Sequence, residues 1–260
     1  MSYQSDLEIT VQNKSKLSGN KNLLLWYEHL FSFQFEGKDV SGLDILEVGS
    51  GTSPLKIFYP NVITSDILSI EGLDFVFDCH KIGEFHGIQN STLDLIVLTN
   101  VLHHLQKPLN FLINARTKLK DNGSIIITEP YFSWISSSIY RFIHHEAVDS
   151  SIKTPELKSE EDSPLSSANV VLPYLVFFKK MEWLANVNKY YQIELLGCFS
   201  SLSYFVTGGI SKCFPIPHIL YKIIFKFDRS ITKYFPRIAA SFFTVKLTKK
   251  KAGQNYTGSA

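Results

Sequence analysis

Three acidic side chains stand where short apolar runs give way to turns: Glu47 in DILEVGSGTSPLK, Asp66 in NVITSDI and Asp78 in LDFVFD. The first run ends in Gly49-Ser50-Gly51, a turn that lets a ligand approach the backbone because no Cβ stands in the way. It is not the turn of a phosphate binder. A dinucleotide fingerprint places a third glycine where this chain has Pro54, and a P-loop needs Lys-Ser or Lys-Thr after its last glycine, which is missing. Glu47 sets negative charge beside the turn, which opposes a pyrophosphate and suits a ligand bearing an ammonium or sulfonium cation. Ligands of open parallel sheets bind beyond the carboxyl ends of the strands. There Asp66, 15 residues past Gly51, can accept both hydroxyls of a ribose, and Asp78 can accept from an exocyclic amine. A cation, a ribose and an adenine amine describe S-adenosylmethionine. Capping of a following helix is the alternative use of Asp66 and Asp78.

A sheet is needed to hold these residues. LDILEV (43–48), NVITSDI (61–67), LDFVFD (73–78), LDLIVLTN (93–100) and GSIIITEP (123–130) are rich in β-branched side chains and bounded by turn residues, as strands are. Between the last two, KPLNFLINARTKLKDNG repeats apolar positions at three- and four-residue steps, carries Pro108 near its start and ends in Asp-Asn-Gly, which predicts a crossover helix. YQIELLGCFS (191–200) and ASFFTVKLTKK (240–250) bring the strands to seven. The fold class is α/β: a seven-stranded, mostly parallel Rossmann-like sheet with helices on both faces. Residues 20–36 read as a helix covering one edge. After Pro130 the rhythm breaks into a polar stretch (149–168), read as a mobile loop, and one long helix over 169–190. The expected organisation is an N-terminal helical cover (1–40), a ligand-binding core (41–130), a lid insertion after strand five (131–190), the last two strands with a basic aromatic insertion (191–251) and a flexible tail (252–260).

The chain has 260 residues, 45% hydrophobic and 19% charged, enough to bury a full core. Its polar start carries no basic lead into an apolar run, so a cytoplasmic location is expected. Cys79, Cys198 and Cys213 form no CxxC pair and leave one over under any disulfide scheme, which predicts reduced, mostly buried thiols and no zinc framework. The net charge of +2 conceals an asymmetry: residues 201–260 carry 10 Lys and Arg against Asp228 alone, while the remainder is acidic. That offers no support for a nucleic-acid groove across the whole molecule and suggests a local patch for something anionic at the C-terminal end, so no nucleic-acid partner is expected. His218, Lys222, Lys226, Arg229 and Lys233 fall at helical steps along one face, with Ile, Leu and Phe on the other. Two uses fit this pattern: an ordinary helix packed on the sheet, or peripheral contact of residues 218–233 with an anionic membrane at its inner face. No apolar run reaches the length of a spanning helix.

Residues 43–130 resemble the class I S-adenosylmethionine-dependent methyltransferases of the type 11 group, on LEVGSGTS, TSDI, DCHKI and LDLIVLTNVLHHLQKP taken in order. The resemblance implies that Glu47, Gly49, Ser50 and Gly51 shape the methionine side of the pocket. It implies that Asp66 with Ile67 holds the ribose, Asp78 with the Cys79 backbone the adenine, and that Asn100 and His103 border the methyl group. Ser53 or Pro54 stands where many members have a further glycine. EPYFSWISSSIYRFIHHEAVD (129–149) is similar to a subgroup found beside bacterial surface-polysaccharide genes, which implies a glycan or small-molecule acceptor, methylated at oxygen. Candidate proton acceptors are His144 and His145, with Glu146, Glu129 and His103 behind them. A metal site is not expected, because His144 and His145 lack the i, i+4 spacing of helix chelation. Rival readings are a small-molecule or quinone-like lipid acceptor, and a cofactor-binding protein without catalysis at a membrane surface.

Overall fold

The computed structural model describes residues 2–142, 146–157 and 168–251. Its centre is one sheet of seven strands: β1 (Ile45–Val48), β2 (Ile63–Asp66), β3 (Phe75–Val76), β4 (Leu93–Thr99), β5 (Leu119–Pro130), β6 (Tyr191–Phe199) and β7 (Phe242–Lys249). The spatial order is β3-β2-β1-β4-β5-β7-β6, with β7 antiparallel to both β5 and β6 and every other pair parallel. The expected mostly parallel, Rossmann-like architecture is therefore observed. Reversal of strand order at β1 and β4 opens a crevice beyond their carboxyl ends, where ligands of such sheets bind.

Helices flank the sheet in chain order: α1 (Tyr3–Gly19), α2 (Lys21–Gln34), α3 (Leu55–Phe58), α4 (Pro108–Ala115), α5 (Trp134–Phe142), α6 (Leu172–Tyr174), α7 (Met181–Asn188), α8 (Ser203–Val206), α9 (His218–Tyr234) and α10 (Pro236–Ala239). Because strand side chains alternate in direction, Ile45, Val97 and Ile126 face a cluster built on Trp26, Leu30 and Phe31 of α2. Leu46, Ile96, Leu98 and Ile125 face the opposite cluster with Phe111 and Leu112 of α4 and Trp183 of α7. Central strands buried on both faces are mostly apolar, with Glu47 in β1 and Asp94 in β4 as charged exceptions, which is why they stood out in the sequence.

Four expectations are corrected. The N-terminal helical cover holds a second helix, α1, ahead of the one expected at 20–36; it starts at Ser2, whose side chain accepts from the Ser5 N–H, and it ends at Asn20, whose side chain accepts from the Asn22 and Leu23 N–H groups and so starts α2. The crossover helix is shorter than its pattern: α4 stops at Ala115, and the Asp-Asn-Gly read as its terminus lies inside β5, where Asn122 takes φ +64° and the pairing with β4 shifts register. The single helix over 169–190 is two pieces, broken at Lys180 after a π-turn in which the Lys180 N–H reaches the Leu175 carbonyl at 2.8 Å. That turn lets the successive residues Phe177 and Phe178 both meet Phe243, which the 100° step of a straight helix opposes. Cys213 is exposed rather than buried, and none of the three cysteines is paired. The expected tail at 252–260 and much of the loop at 149–168 lie outside the described residues.

Candidate active site

Glu47 sits in β1 with its side chain out of water, and Ser53 Oγ donates to its Oε1 at 2.5 Å. Burial pushes this carboxyl up to about 7, against the hydrogen bonds of Ser53 and Ser50 and with the charge of Asp66 adding to the rise. Gly49 follows with φ +74°, and a Cβ there would lie 2.4 Å from Val101 Cγ2, so the loops after β1 and β4 touch at a position only glycine fits. Ser50 ties the turn to β2: its N–H bonds the Ser65 carbonyl at 2.9 Å and its Oγ accepts from the Ser65 N–H. Asp66, at the end of β2, accepts from the Gly51 N–H and the Leu68 N–H, each at 2.9 Å, and burial raises its pKa despite those bonds. Ile67 beside it is exposed.

Asp78 caps the short 3₁₀ turn Cys79–Glu84, accepting from the His80 N–H and pairing with His80 Nδ1, both at 2.9 Å; the His80 bond is the main reason its pKa is lowered. The capping use is thus realised, at the same strand end at which an amine acceptor was expected. Cys79 is held with its thiol pKa raised, by burial first and by the neighbouring Asp78 and Asp66 charges. Asn100 follows β4 in the left-handed region, φ +56°, with its N–H on the Thr128 carbonyl at 2.8 Å. Strained non-glycine backbone of this kind collects at functional sites.

His103, fully buried, carries the densest chemistry. Its Nδ1 lies 2.5 Å from Glu129 Oε2, while Glu129 Oε1 accepts from the Val101 and Leu102 N–H groups at 2.9 and 2.5 Å. On the other side, Nε2 lies 3.3 Å from Glu146 Oε2. Burial alone would lower the His103 pKa; the Glu129 charge, with the hydrogen bonds to Glu129 and Glu146, outweighs it and raises the group to about 10. Of the proton acceptors named from the sequence, His103, Glu129 and Glu146 come together, while His144 and His145 lie outside the described residues.

Other parts of the site were not legible beforehand. The buried Asn169 gives its N–H to the His103 carbonyl and clasps Asp149 with its side chain, tying the segment after Glu146 to the strand-four loop. Gln34 of α2 donates to Thr99 and Thr128 from beneath. Helix α1 roofs the glycine turn: a Cβ on Gly51 would meet Thr10 Cγ2 and Asp66 Oδ2 at 3.0 Å each, Tyr3 Oη accepts from the Ser69 N–H at 2.8 Å, and the Lys14 charge acts on both Glu47 and Asp66. An aromatic wall of Tyr131, Phe132, Tyr174 and Phe178 borders β5, with ring centroids 5.3 to 5.5 Å apart.

The crevice fits S-adenosylmethionine on its own terms. Two acceptors there, Glu47 Oε2 and Asn100 Oδ1, are buried with no partner in the protein, a costly state that a cationic donor relieves. Metal-ligand side chains within 4.8 Å of one another occur as Asp78-Cys79-His80 and as His103-His104-Glu146; in each, a histidine already bonds a carboxylate.

Fold and site define a class I S-adenosylmethionine-dependent methyltransferase. The family model of the methyltransferase domain matches residues 23–161, and the chain belongs to that family. A stretch of 112 residues, 43% of this chain, is 31% identical to Probable polyketide synthase 10 of Dictyostelium discoideum, and it spans 4% of that protein's length. The chain is also similar to a SAM-dependent methyltransferase from Archaeoglobus fulgidus, with 14% identity, 86% of this chain and 100% of that one covered and a TM-score of 0.47. A SAM-dependent methyltransferase from Thermotoga maritima, described as a possible histamine N-methyltransferase, is 12% identical over 91% of this chain and 98% of its own, with a TM-score of 0.46.

Proposed function

We propose that the protein transfers the methyl group of S-adenosylmethionine to a hydroxyl oxygen of a glycan or lipid-linked sugar precursor, with His103 receiving the hydroxyl proton. The observation that supports this most is the row Glu129, His103, Glu146, its first two members buried, with Tyr131 of the aromatic wall two residues beyond Glu129. Bound S-adenosylmethionine supplies a methyl group on a sulfonium, which departs with the S–C bond pair left on sulfur. What remains for the protein is to align the acceptor and take its proton. Because His103 is held as the imidazolium up to about pH 10, its Nε2 proton must first leave by way of Glu146 to solvent, so turnover through this base rises with pH toward that value. The neutral ring then keeps its Nδ1–H on Glu129 and offers its Nε2 lone pair to the acceptor O–H. Glu129 keeps the ring oriented because its other oxygen is fixed by two backbone amides. Tyr131 and Tyr174 offer an apolar ring and a hydroxyl each, which suits a sugar's mixed surface.

A second reading, transfer to an acidic carbon of an acyl chain, is favoured by the likeness to the polyketide synthase segment and would use the same pair. Cell-envelope fractions incubated with the protein and methyl-labelled S-adenosylmethionine separate the two. Label released as methyl iodide by hydriodic acid from a glycan or lipid-linked sugar is the expected result. Label that resists this treatment lies on carbon or nitrogen rather than oxygen, and label absent from every sugar fraction overturns the glycan reading.

A further inference from the structure

We infer that α9, α10 and α5 form a face that docks the protein on an anionic lipid surface. The 100° step of a helix divides α9 into three sectors. Tyr221, Phe225, Asp228 and Thr232 turn inward, and Lys222, Lys226, Arg229 and Lys233 occupy the next sector, exposed. The third holds Ile219, Ile223, Phe227 and Tyr234, exposed by 79, 63, 67 and 69%. The apolar residues beside the basic stripe therefore do not pack on the sheet, contrary to the ordinary use of such a helix. Helix α10 packs against both α9 and α5 and adds exposed Phe235 and Ile238; α5 adds Trp134 and Phe142, exposed by 83 and 84%.

Charge selects the partner. Asp228, the only acid in residues 201–260, is consumed inside: it accepts from the Ser201 and Leu202 N–H groups and from Ser203 Oγ. What reaches solvent from α9 and α10 is cationic and apolar, with Arg237 adding to the four α9 cations. Exposed Trp and Phe next to unopposed Lys and Arg is the composition of a helix lying in the headgroup layer of anionic lipid. No helix among the described residues is long and apolar enough to cross a membrane, so the contact is peripheral.

Topology places this face at the working end of the enzyme. Pro130 at the end of β5 and Phe199 at the end of β6 both pair with Phe242 at the start of β7, so α5 and the segment carrying α8, α9 and α10 leave the sheet at the edge where Glu129 stands. Docking there turns the crevice toward the lipid. The inference does not depend on the acceptor, because vesicle binding is read without methyl transfer.

The test is co-sedimentation of the full chain with phosphatidylcholine vesicles, with and without phosphatidylglycerol, at low and high salt, alongside tryptophan emission. Trp26 and Trp183 are buried, so Trp134 is the reporter. Expected are binding only to the phosphatidylglycerol vesicles, weakening with salt and a blue shift of emission. The double variant Lys222→Glu/Lys226→Glu should lower binding by at least about tenfold, and Ile223→Asp/Phe227→Asp should abolish the blue shift and the salt-resistant part. A wild-type chain that stays in the supernatant at low salt, or charge-reversed variants that bind as tightly as wild type, overturns the inference. So does a self-associating wild type made monomeric by Phe227→Asp with no vesicle binding, which assigns the face to a second copy.

Discussion

His103 Nδ1 lies 2.5 Å from Glu129 Oε2, across 26 residues of chain, with both side chains removed from water. Glu129→Gln keeps an oxygen for the Val101 and Leu102 amides and removes the charge behind the imidazole. Turnover should fall by about a hundredfold or more, the range of a lost acid-base partner, with affinity for S-adenosylmethionine unchanged by calorimetry. Because the folded His103 pKa is raised above its unfolded value, the pair stabilises the fold fully below about 6.5 and loses that contribution as pH rises through about 10. Urea midpoints of the wild type should decline across that window, and those of Glu129→Gln should not.

Gly49 and Val101 meet where no other residue fits between them. Gly49→Ala adds a methyl that would overlap Val101 Cγ2 at 2.4 Å and imposes φ +74° on a side chain. A stability loss of about 1 to 3 kcal/mol is expected in urea unfolding, together with loss of cofactor binding. Adding Val101→Ala should recover part of the stability, since it removes the overlap and leaves the backbone strain. Wild-type affinity in Gly49→Ala would show that the turn does not border the cofactor.

Asp66 accepts from the Gly51 amide in the protein, and we propose that it also holds the ribose of the bound cofactor. Asp66→Ala should weaken S-adenosylmethionine binding by about 1 to 3 kcal/mol, the worth of hydrogen bonds to a charged group. Adenosine should lose as much, because the effect is assigned to the sugar. Equal affinity of mutant and wild type for both ligands would remove Asp66 from the site.

The legible parts of this molecule are those where one physical term dominates. Strands β1 and β4 are mostly apolar because both faces are covered, and the ends of β1, β2 and β4 put Glu47, Asp66 and Asn100 at one edge. Helix α1 escaped because its buried residues are Asp6, Thr10 and Leu17, a mostly polar stripe with no apolar period to detect. The strand-like start of β5 escaped because Leu119 is the one apolar residue between Lys118 and Asn122 and the register shift at Leu93 leaves no alternation. The row Glu129, His103, Glu146 joins three separate segments, and only tertiary packing, through the Asn169 clasp, sets their distance. On α9 the periodicity was right and the buried sector was wrong: Tyr221, Asp228 and Thr232 turn inward, where Asp228 accepts from the Ser201 and Leu202 N–H groups after β6 and Tyr221 stacks on Phe225 of its own helix, contacts that hydropathy does not weigh.

Glu47 gives the sharpest pH dependence. Its folded carboxyl is raised to about 7 by burial, so between about 4.5 and 7 the unfolded chain ionises while the folded one does not. Folding stability is therefore highest below that window and falls by about 3 to 4 kcal/mol as pH rises through it, at about 1.4 kcal/mol per pKa unit. Binding of a sulfonium and ammonium pulls the same pKa down, so the protein must release a proton to bind below about 7. Affinity for S-adenosylmethionine should accordingly rise with pH and level off above about 7. Calorimetry at about pH 6 in buffers of different ionisation enthalpy should register that release, and at about pH 8 it should vanish. Glu47→Gln should be more stable than wild type at about pH 8, bind more weakly and show neither pH dependence. If wild type and Glu47→Gln bind with the same affinity at every pH, the carboxylate does not meet the cation, and its unpartnered oxygen serves the fold alone.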